Sequence, residues 1–280
     1  PMKINERAML VKLSISQWYN NKVDRKVSDE VAANYGVSEH NDRYVKKLLP
    51  PEALKPVLQC ITELRSFHNR NTMPWQDDSV RILPSANFFT YRQGIAERKA
   101  ELQAAVDRFC AAYPAWVEHA RQSKKGLFNE LDYPTPQAIA SQFGVSMTLL
   151  PFPSVSDFRL DITDISIMDE IKRNTEVALA EALKGANKDL IDRIYKRAYT
   201  LYSALCEQDK VFRDATVNAL GETAELVQTL NVSNDERVNL AVKATLEVAG
   251  LITPDRLRAS TAFRNETAKR VAELLTALKE

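Results

Sequence analysis

From about residue 165 onward the chain sets its apolar residues at helical spacing, and beta signals fade. Ile167, Ile171, Thr175, Ala178 and Ala182 fall on one helix face. Ile194, Ala198, Leu201 and Leu205 step by four, three and four. Such steps keep one stripe of a helix turned toward a partner. Gly185 and Asn187 form a stop between the two runs, and Asp189 a restart. Further helices are expected at 210–230, 234–250 and 262–279. Asn234 and Thr253-Pro254 serve as start signals and Gly250 as a stop. Stripes of this kind are buried by helix on helix, so a helical bundle is expected over residues 165–280.

The first half reads differently. In "MLVKLSIS", Val11, Leu13 and Ile15 alternate with Lys12, Ser14 and Ser16, the period of a half-buried strand. "SDFRLDITDI" alternates in the same way through Phe158, Leu160 and Ile162. "SVRILP" is a third, shorter strand. These three are too far apart for hairpins and are expected to share a small sheet. Helices are expected at 27–35, at 42–49 and over "PEALKPVLQCITELRSFHNR", which carries proline in its first turns. Ile95, Leu102, Val106, Phe109, Tyr113 and Trp116 form the clearest stripe of this half, with Pro114 expected to split or kink its helix. The fold class expected is therefore mostly α with a small β-sheet. It divides into a mixed α+β domain over residues 1–164 and a helical-bundle region over 165–280.

Thirty-eight basic residues nearly cancel 37 acidic ones, for a net charge of +1. No global field draws the chain to nucleic acid or to an anionic membrane. No apolar run reaches membrane-spanning length and the first residues hold no signal-type core, so a cytoplasmic location is expected. Cys60, Cys110 and Cys206 are far apart and form no CxxC, which favours small buried hydrophobes over redox or metal roles. His40, His68 and His119 lack metal-ligand spacing. The seven glycines make neither GxGxxG nor a Walker loop, and no GxSxG elbow is present. Asp157, Asp161, Asp164, Asp169 and Glu170 come nearest to a carboxylate site. Asp157 and Asp161 would share a strand face, but Arg159 between them neutralises it. No catalytic residue, cofactor or metal is expected.

Two stretches echo one another. "PTPQAIASQFGVSMTLLP" and "EVAANYGVSEHNDRYVKKLLP" each read like the middle of a helix-turn-helix. A DNA reader needs a long second helix and cations for the phosphates. The stretch from Pro134 to Pro151 has no Lys, Arg, Asp or Glu, and Pro151 follows close behind Gly144. It reads as a Gly-capped helical turn. The stretch from Glu30 to Pro50 is the better candidate. There Val37-Ser38 could open a helix from Glu39 to Leu49, with Arg43, Lys46 and Lys47 toward phosphates and Asn41 toward a base edge. Lys22, Arg25 and Lys26 lie just upstream. Glu39 and Asp42 share the same helix, so the competing reading is an amphipathic helix burying Tyr44, Val45, Leu48 and Leu49.

"MLVKLSISQW", "EVAANYG…RYVKKLLP", "NTMPWQDDSVRILPSANFFTY", "LFNELDYPTPQAI" and "DFRLDI", in this order, resemble a family encoded by bacteriophages and mobile elements and known as a domain of unknown function. The resemblance spans about Leu10 to Ile162. It implies a phage-type protein in the host bacterial cytoplasm and carries over no catalytic residue. The function expected is a non-enzymatic assembly or protein-interaction module, a homo-oligomer or a partner of other phage or host proteins. The alternative expectation is nucleic-acid binding through the helix-turn-helix-like segment at 30–50.

Overall fold

The computed structural model describes residues 4–37, 42–76, 79–153, 165–207 and 213–279. In chain order its elements are α1 (Ile4–Arg7), β1 (Ala8–Ser16), β2 (Asn21–Val23), α2 (Arg25–Asn34), β3 (Val45–Lys47) and α3 (Pro51–Arg70). Then come β4 (Met73–Pro74), β5 (Arg81–Pro84), α4 (Phe88–Lys124), α5 (Pro136–Ala140) and β6 (Gly144–Pro151). Helices follow among the described residues: α6 (Ile165–Cys206), α7 (Asp214–Leu230), α8 (Glu236–Gly250), α9 (Pro254–Ala259) and α10 (Thr261–Ala277). Among the described residues 71% are helical, with a four-stranded antiparallel sheet in the N-terminal half and a helical C-terminal half.

Two compact units form. The first comprises Pro1–Lys12, Asn69–Tyr91 and Thr148–Glu280; the second comprises Leu13–His68 and Arg92–Met147. The expected break between residues 164 and 165 is thus not where the contacts divide. The reason is the core: Ala8, Leu10, Met73 and Ile82 bury with Leu190, Ile194, Val227 and Leu230 of the helical half.

The sheet runs β4-β5-β1-β6. β1 pairs antiparallel with β5 from Ala8↔Pro84 to Val11↔Arg81, and β5 pairs with β4 through Met73↔Ile82. β5 answers the strand expected at "SVRILP"; the expected strand at 157–163 lies outside the described residues. β6 was expected as a helix cap and exit. It is a strand instead, and Gly144 does not end a helix. A Cβ there would stand 2.9 Å from the Ser16 hydroxyl of β1, so the glycine serves close approach.

In the first unit, α6 through α10 bury two apolar clusters. One joins Leu190, Ile194, Val227, Val238 and Val242; the other joins Ala198, Leu201, Leu220, Leu257, Val271 and Leu274. α6 runs unbroken through Gly185 and Asn187, where a stop was expected. Glycine costs a helix about 1 kcal/mol against alanine, but Ala186 and Leu190 continue the apolar stripe and are fully buried. Asn187 is held from outside the helix: it donates to Asp235 at 3.1 Å and accepts from Ser233 at 2.8 Å. Asp235, not Asn234, caps α8, accepting from the Val238 N–H at 3.1 Å.

In the second unit, α3 and α4 pack Leu54, Val57 and Ile61 with Leu102, Val106, Phe109 and Tyr113. Pro114 was expected to split or kink α4, yet one helix spans it. Tyr113 and Ala120, on either side, both bury in this core, which holds the helix across the missing hydrogen bond. Gly94 is needed in α4 because the Phe67 ring fills its Cβ position, 2.2 Å from where that atom would sit. Arg98 covers the same ring at 4.0 Å. Cys60 and Cys110 are half-buried and Cys206 is exposed, so burial is not the role of Cys206.

Candidate functional site

The sequence-predicted residues meet in β2, α2 and β3 of the second unit. The helix expected over 42–49 is absent among the described residues: β3 takes its place. The stretch "YVKKLL" fits a helix stripe, but it also alternates, and the ladder with β2 decides. Asn21 pairs with Lys47, Lys22 with Lys46 and Val23 with Val45. Val45 and Lys47 therefore point out, while Lys46 points in. Leu48 and Leu49 bury beyond the strand, as the amphipathic reading expected, but Tyr44 and Val45 stay exposed. With β3 where the second helix should be, a helix-turn-helix is not formed here.

α2 is started by Asp24, whose carboxylate accepts from the Val27 N–H at 3.3 Å. It ends at Tyr35, and Gly36 turns the chain with φ of 65°. Ser28 then ties the helix to the returning strand. Its hydroxyl donates to the Asp24 carbonyl at 2.7 Å and accepts from the Tyr44 N–H at 2.9 Å. Asn20 brackets Leu49, donating to its carbonyl at 2.7 Å and accepting from its N–H at 2.8 Å.

Lys46 is the pin of this module and is only 6% exposed. Its ammonium stands 2.7 Å from Asp24 Oδ2, 2.7 Å from Asp132 Oδ2 and 3.0 Å from the Leu127 carbonyl. A lysine has three N–H donors, and three acceptors surround it. Asp132 ends a 3-10 turn opened by Asn129, which accepts from the Leu131 N–H at 3.1 Å. Tyr133 follows, donating to the Leu48 carbonyl at 3.0 Å and stacking on Phe128 at 4.9 Å. Burial alone would lower the Lys46 pKa, but the hydrogen bonds it donates to Asp132 and Asp24 outweigh it and raise the value. The Lys46 hydrogen bond, helped by the Val27 N–H, holds the Asp24 carboxyl below the usual carboxylate range. Lys46 is thus a charge-locked anchor, unsuited to contact a phosphate or to act as a nucleophile.

Lys22, Arg25, Lys26, Arg43 and Lys47 remain exposed, interleaved with Asp29, Glu30 and Asp42. Lys26 lies 4.0 Å from Glu30. Asn41 lies outside the described residues, as do His40, Asp157, Asp161 and Asp164. Asp169 and Glu170 are exposed on α6. What the module does present is apolar. Seven of the eighteen exposed large apolar side chains among the described residues fall between Tyr19 and Val45. Tyr35 is the most open of the seven, at 82%. A cavity of about 240 Å³ opens among them, lined by Ser28, Val31, Ala32, Val37, Asp42, Arg43 and Tyr44.

Sequence reasoning placed the cations here but missed Asp24 and Asp132 as partners. Asp24 ahead of a helical run carries an N-cap signal. Asp132 carries none, because nothing local ties it to a lysine so far away in the chain. Elsewhere in this unit the Tyr113 phenol is buried without a partner, and burial pushes its pKa up to about 12. It is neutral and offers no base. Among the described residues no group of three His, Cys, Asp or Glu could hold a metal ion, and no helix is long and apolar enough to cross a membrane. Comparison with protein-family models, with curated proteins and with solved structures returns no match.

Proposed function

We propose that this chain is a non-enzymatic, phage-type interaction and assembly module, working in the host bacterial cytoplasm and binding protein partners through the β2–α2–β3 module. The observation that carries the reading is the concentration of exposed apolar side chains between Tyr19 and Val45, beside a small apolar cavity. Apolar groups clustered on a surface mark binding faces, whereas scattered ones do not. The buried Lys46 cluster ties β3 to the start of α2 and to the 3-10 turn at Asp132, which limits the order lost when the module binds.

The test is capture of partners from cells carrying the cognate mobile element, with wild-type chain and with Tyr35→Ser/Tyr44→Ser/Val45→Thr as bait. The expected result is one or more proteins retained by the first and lost by the second, with no oligonucleotide bound at physiological salt. Oligonucleotide binding that weakens steeply with salt and is lost on Arg43→Ala/Lys47→Ala would overturn it.

A further inference from the structure

β3 has an edge that no strand covers. β2 and β3 form a two-stranded sheet, and among the described residues no third strand joins it. The Asp24 N–H donates to the Tyr44 carbonyl at 2.9 Å, and the Leu48 N–H to the Asn20 carbonyl at 3.3 Å. Both bonds belong to the register that sets Lys22 opposite Lys46. An antiparallel ladder alternates bonded and unbonded pairs, so the backbone groups of Lys22 and Lys46 face one another. Those of Val45 and Lys47 then point away from β2, and among the described residues they meet no partner. On β2 the outward Asn21 N–H is already taken, by the Tyr19 carbonyl at 2.8 Å. The open edge is therefore that of β3. Its outward side chains are Val45 and Lys47, and Arg43, exposed two residues earlier, continues the alternation. Val45 pairs across the ladder with Val23, and both are exposed. Neither Arg43 nor Lys47 has an ion-pair partner among the described residues.

We propose that this edge binds an extended acidic segment of a partner protein as a third, antiparallel strand, with the pattern acid–x–aliphatic–x–acid. The proposal rests on the interaction reading above and deepens it by naming the partner's chemistry. Strand addition draws its affinity from main-chain bonds and its specificity from alternate side chains. An added strand would exchange both backbone bonds with Val45 and both with Lys47. Its residues opposite Lys47, Val45 and Arg43 would lie on the outer face beside those side chains. Opposite charges placed across neighbouring strands attract, and like charges repel. The row of cation, valine and cation therefore selects acid, aliphatic and acid. It also excludes a second copy of this chain. Antiparallel pairing of the edge with itself about Val45 would set Lys47 against Arg43 twice. Lysine on an edge strand is a guard against such self-pairing, and here the same guard admits an acidic strand.

The test is fluorescence anisotropy of a labelled, capped Thr-Glu-Thr-Val-Thr-Glu-Thr peptide titrated with the full chain. A Kd of roughly 10–500 µM is expected. N-methylation of the valine amide, which would face β3, should abolish binding. N-methylation of the threonine after it, which would face away, should leave the Kd within about threefold. Hydrogen exchange should slow at the Val45 and Lys47 amides when the unlabelled peptide is added. Lys47→Glu should weaken binding about tenfold or more, with circular dichroism and melting unchanged because the side chain is exposed. The peptide with lysine in both acid positions should bind Arg43→Glu/Lys47→Glu and not the wild-type chain. No binding up to about 2 mM peptide overturns the proposal. So does an equal loss from the two N-methylations, or equal affinity for a scrambled peptide of the same composition. A chain that captures partners through Tyr35 and Tyr44 but fails these peptide tests keeps the interaction reading and loses the added strand. Salt-sensitive oligonucleotide binding that is lost on Arg43→Ala/Lys47→Ala removes both.

Discussion

The second unit holds its buried lysine with carboxylates; the first unit holds arginines with helix ends. Lys46 meets Asp24 and Asp132, each at 2.7 Å. Arg193 of α6 spreads its guanidinium over the Asn69, Arg70 and Thr72 carbonyls at 3.1, 2.9 and 2.6 Å, where α3 ends. Arg264 of α10 does the same at the end of α6, over the Ala204 carbonyl at 3.1 Å, the Leu205 carbonyl at 3.0 Å and that of Glu207. The last carbonyls of a helix lack partners and carry partial negative charge. A planar fork can satisfy several of them, while an ammonium is a point that suits converging oxygens. The two devices pin neighbouring segments alike, but Lys46 is held mainly by carboxylates, whereas Arg193 adds one carboxylate, Asp189 at 2.7 Å, to three carbonyls.

The largest effect expected is from Lys46→Met. It leaves two partly buried carboxylates side by side without a cation, which costs about 3–5 kcal/mol. Chemical denaturation followed at Trp18, which packs in the same core, would show the midpoint drop. Adding Asp24→Asn and Asp132→Asn should recover most of it. If Lys46→Met alone costs under ~1 kcal/mol, the cluster is solvated and the anchor reading fails.

Arg264→Met comes next. It removes hydrogen bonds from a charged donor, but the carbonyls at the end of α6 can turn to water, so about 1–3 kcal/mol is expected. Hydrogen exchange should rise in the last turn of α6 and leave the second unit untouched. Equal loosening of both units would erase the contrast between the two devices.

The contrast also predicts different pH behaviour. The folded pKa of Asp24 is lowered, so its contribution is complete above the unfolded value and is lost as pH falls through the folded one. The folded pKa of Lys46 is raised, so its contribution is complete below the unfolded value and is lost as pH rises through the folded one. Stability of the second unit should therefore fall off in acid below about pH 4 and in alkali above about pH 10. Denaturation midpoints across pH 3–11 check this, with Asp24→Asn flattening the acid limb. An unchanged acid limb in that variant would assign it to other carboxylates.

Lys46 also shows where the sequence stops being legible. Long stripes were readable: α3 matches the expected "PEALKPVLQCITELRSFHNR" residue for residue, and the bundle helices fall close to their expected bounds. Those elements are decided by their own apolar spacing. β3 was misread because its inward residue is a charged one, and hydrophobic periodicity cannot anticipate a lysine whose partners lie elsewhere in the chain. β6 was misread because Gly144 looks the same in sequence whether it ends a helix or lies against β1. Gly185 reads as a stop in sequence because propensity is local, while the burial that overrides it belongs to α7 and α8. The candidate module was legible as a place, through its cations, but not as a surface. Its character comes from Tyr35, Tyr44 and Val45 staying outside, and for Val45 it is the ladder with β2 that decides this.

The smallest effect expected separates distance from burial. Arg270 and Glu266, one turn apart on α10, are joined at 2.7 Å, the same length as the Lys46–Asp24 contact. Their side chains are 44% and 57% exposed. Water already solvates both ends, so the pair gains little by forming and loses little by breaking. Glu266→Gln should shift the denaturation midpoint by less than about 0.5 kcal/mol, and added salt should erase even that. Lys46→Met should resist salt, because its partners are shielded. Were Glu266→Gln to cost as much as Lys46→Met, contact length rather than burial would govern both pairs. The distinction between a locked cation and a surface one would then have no basis.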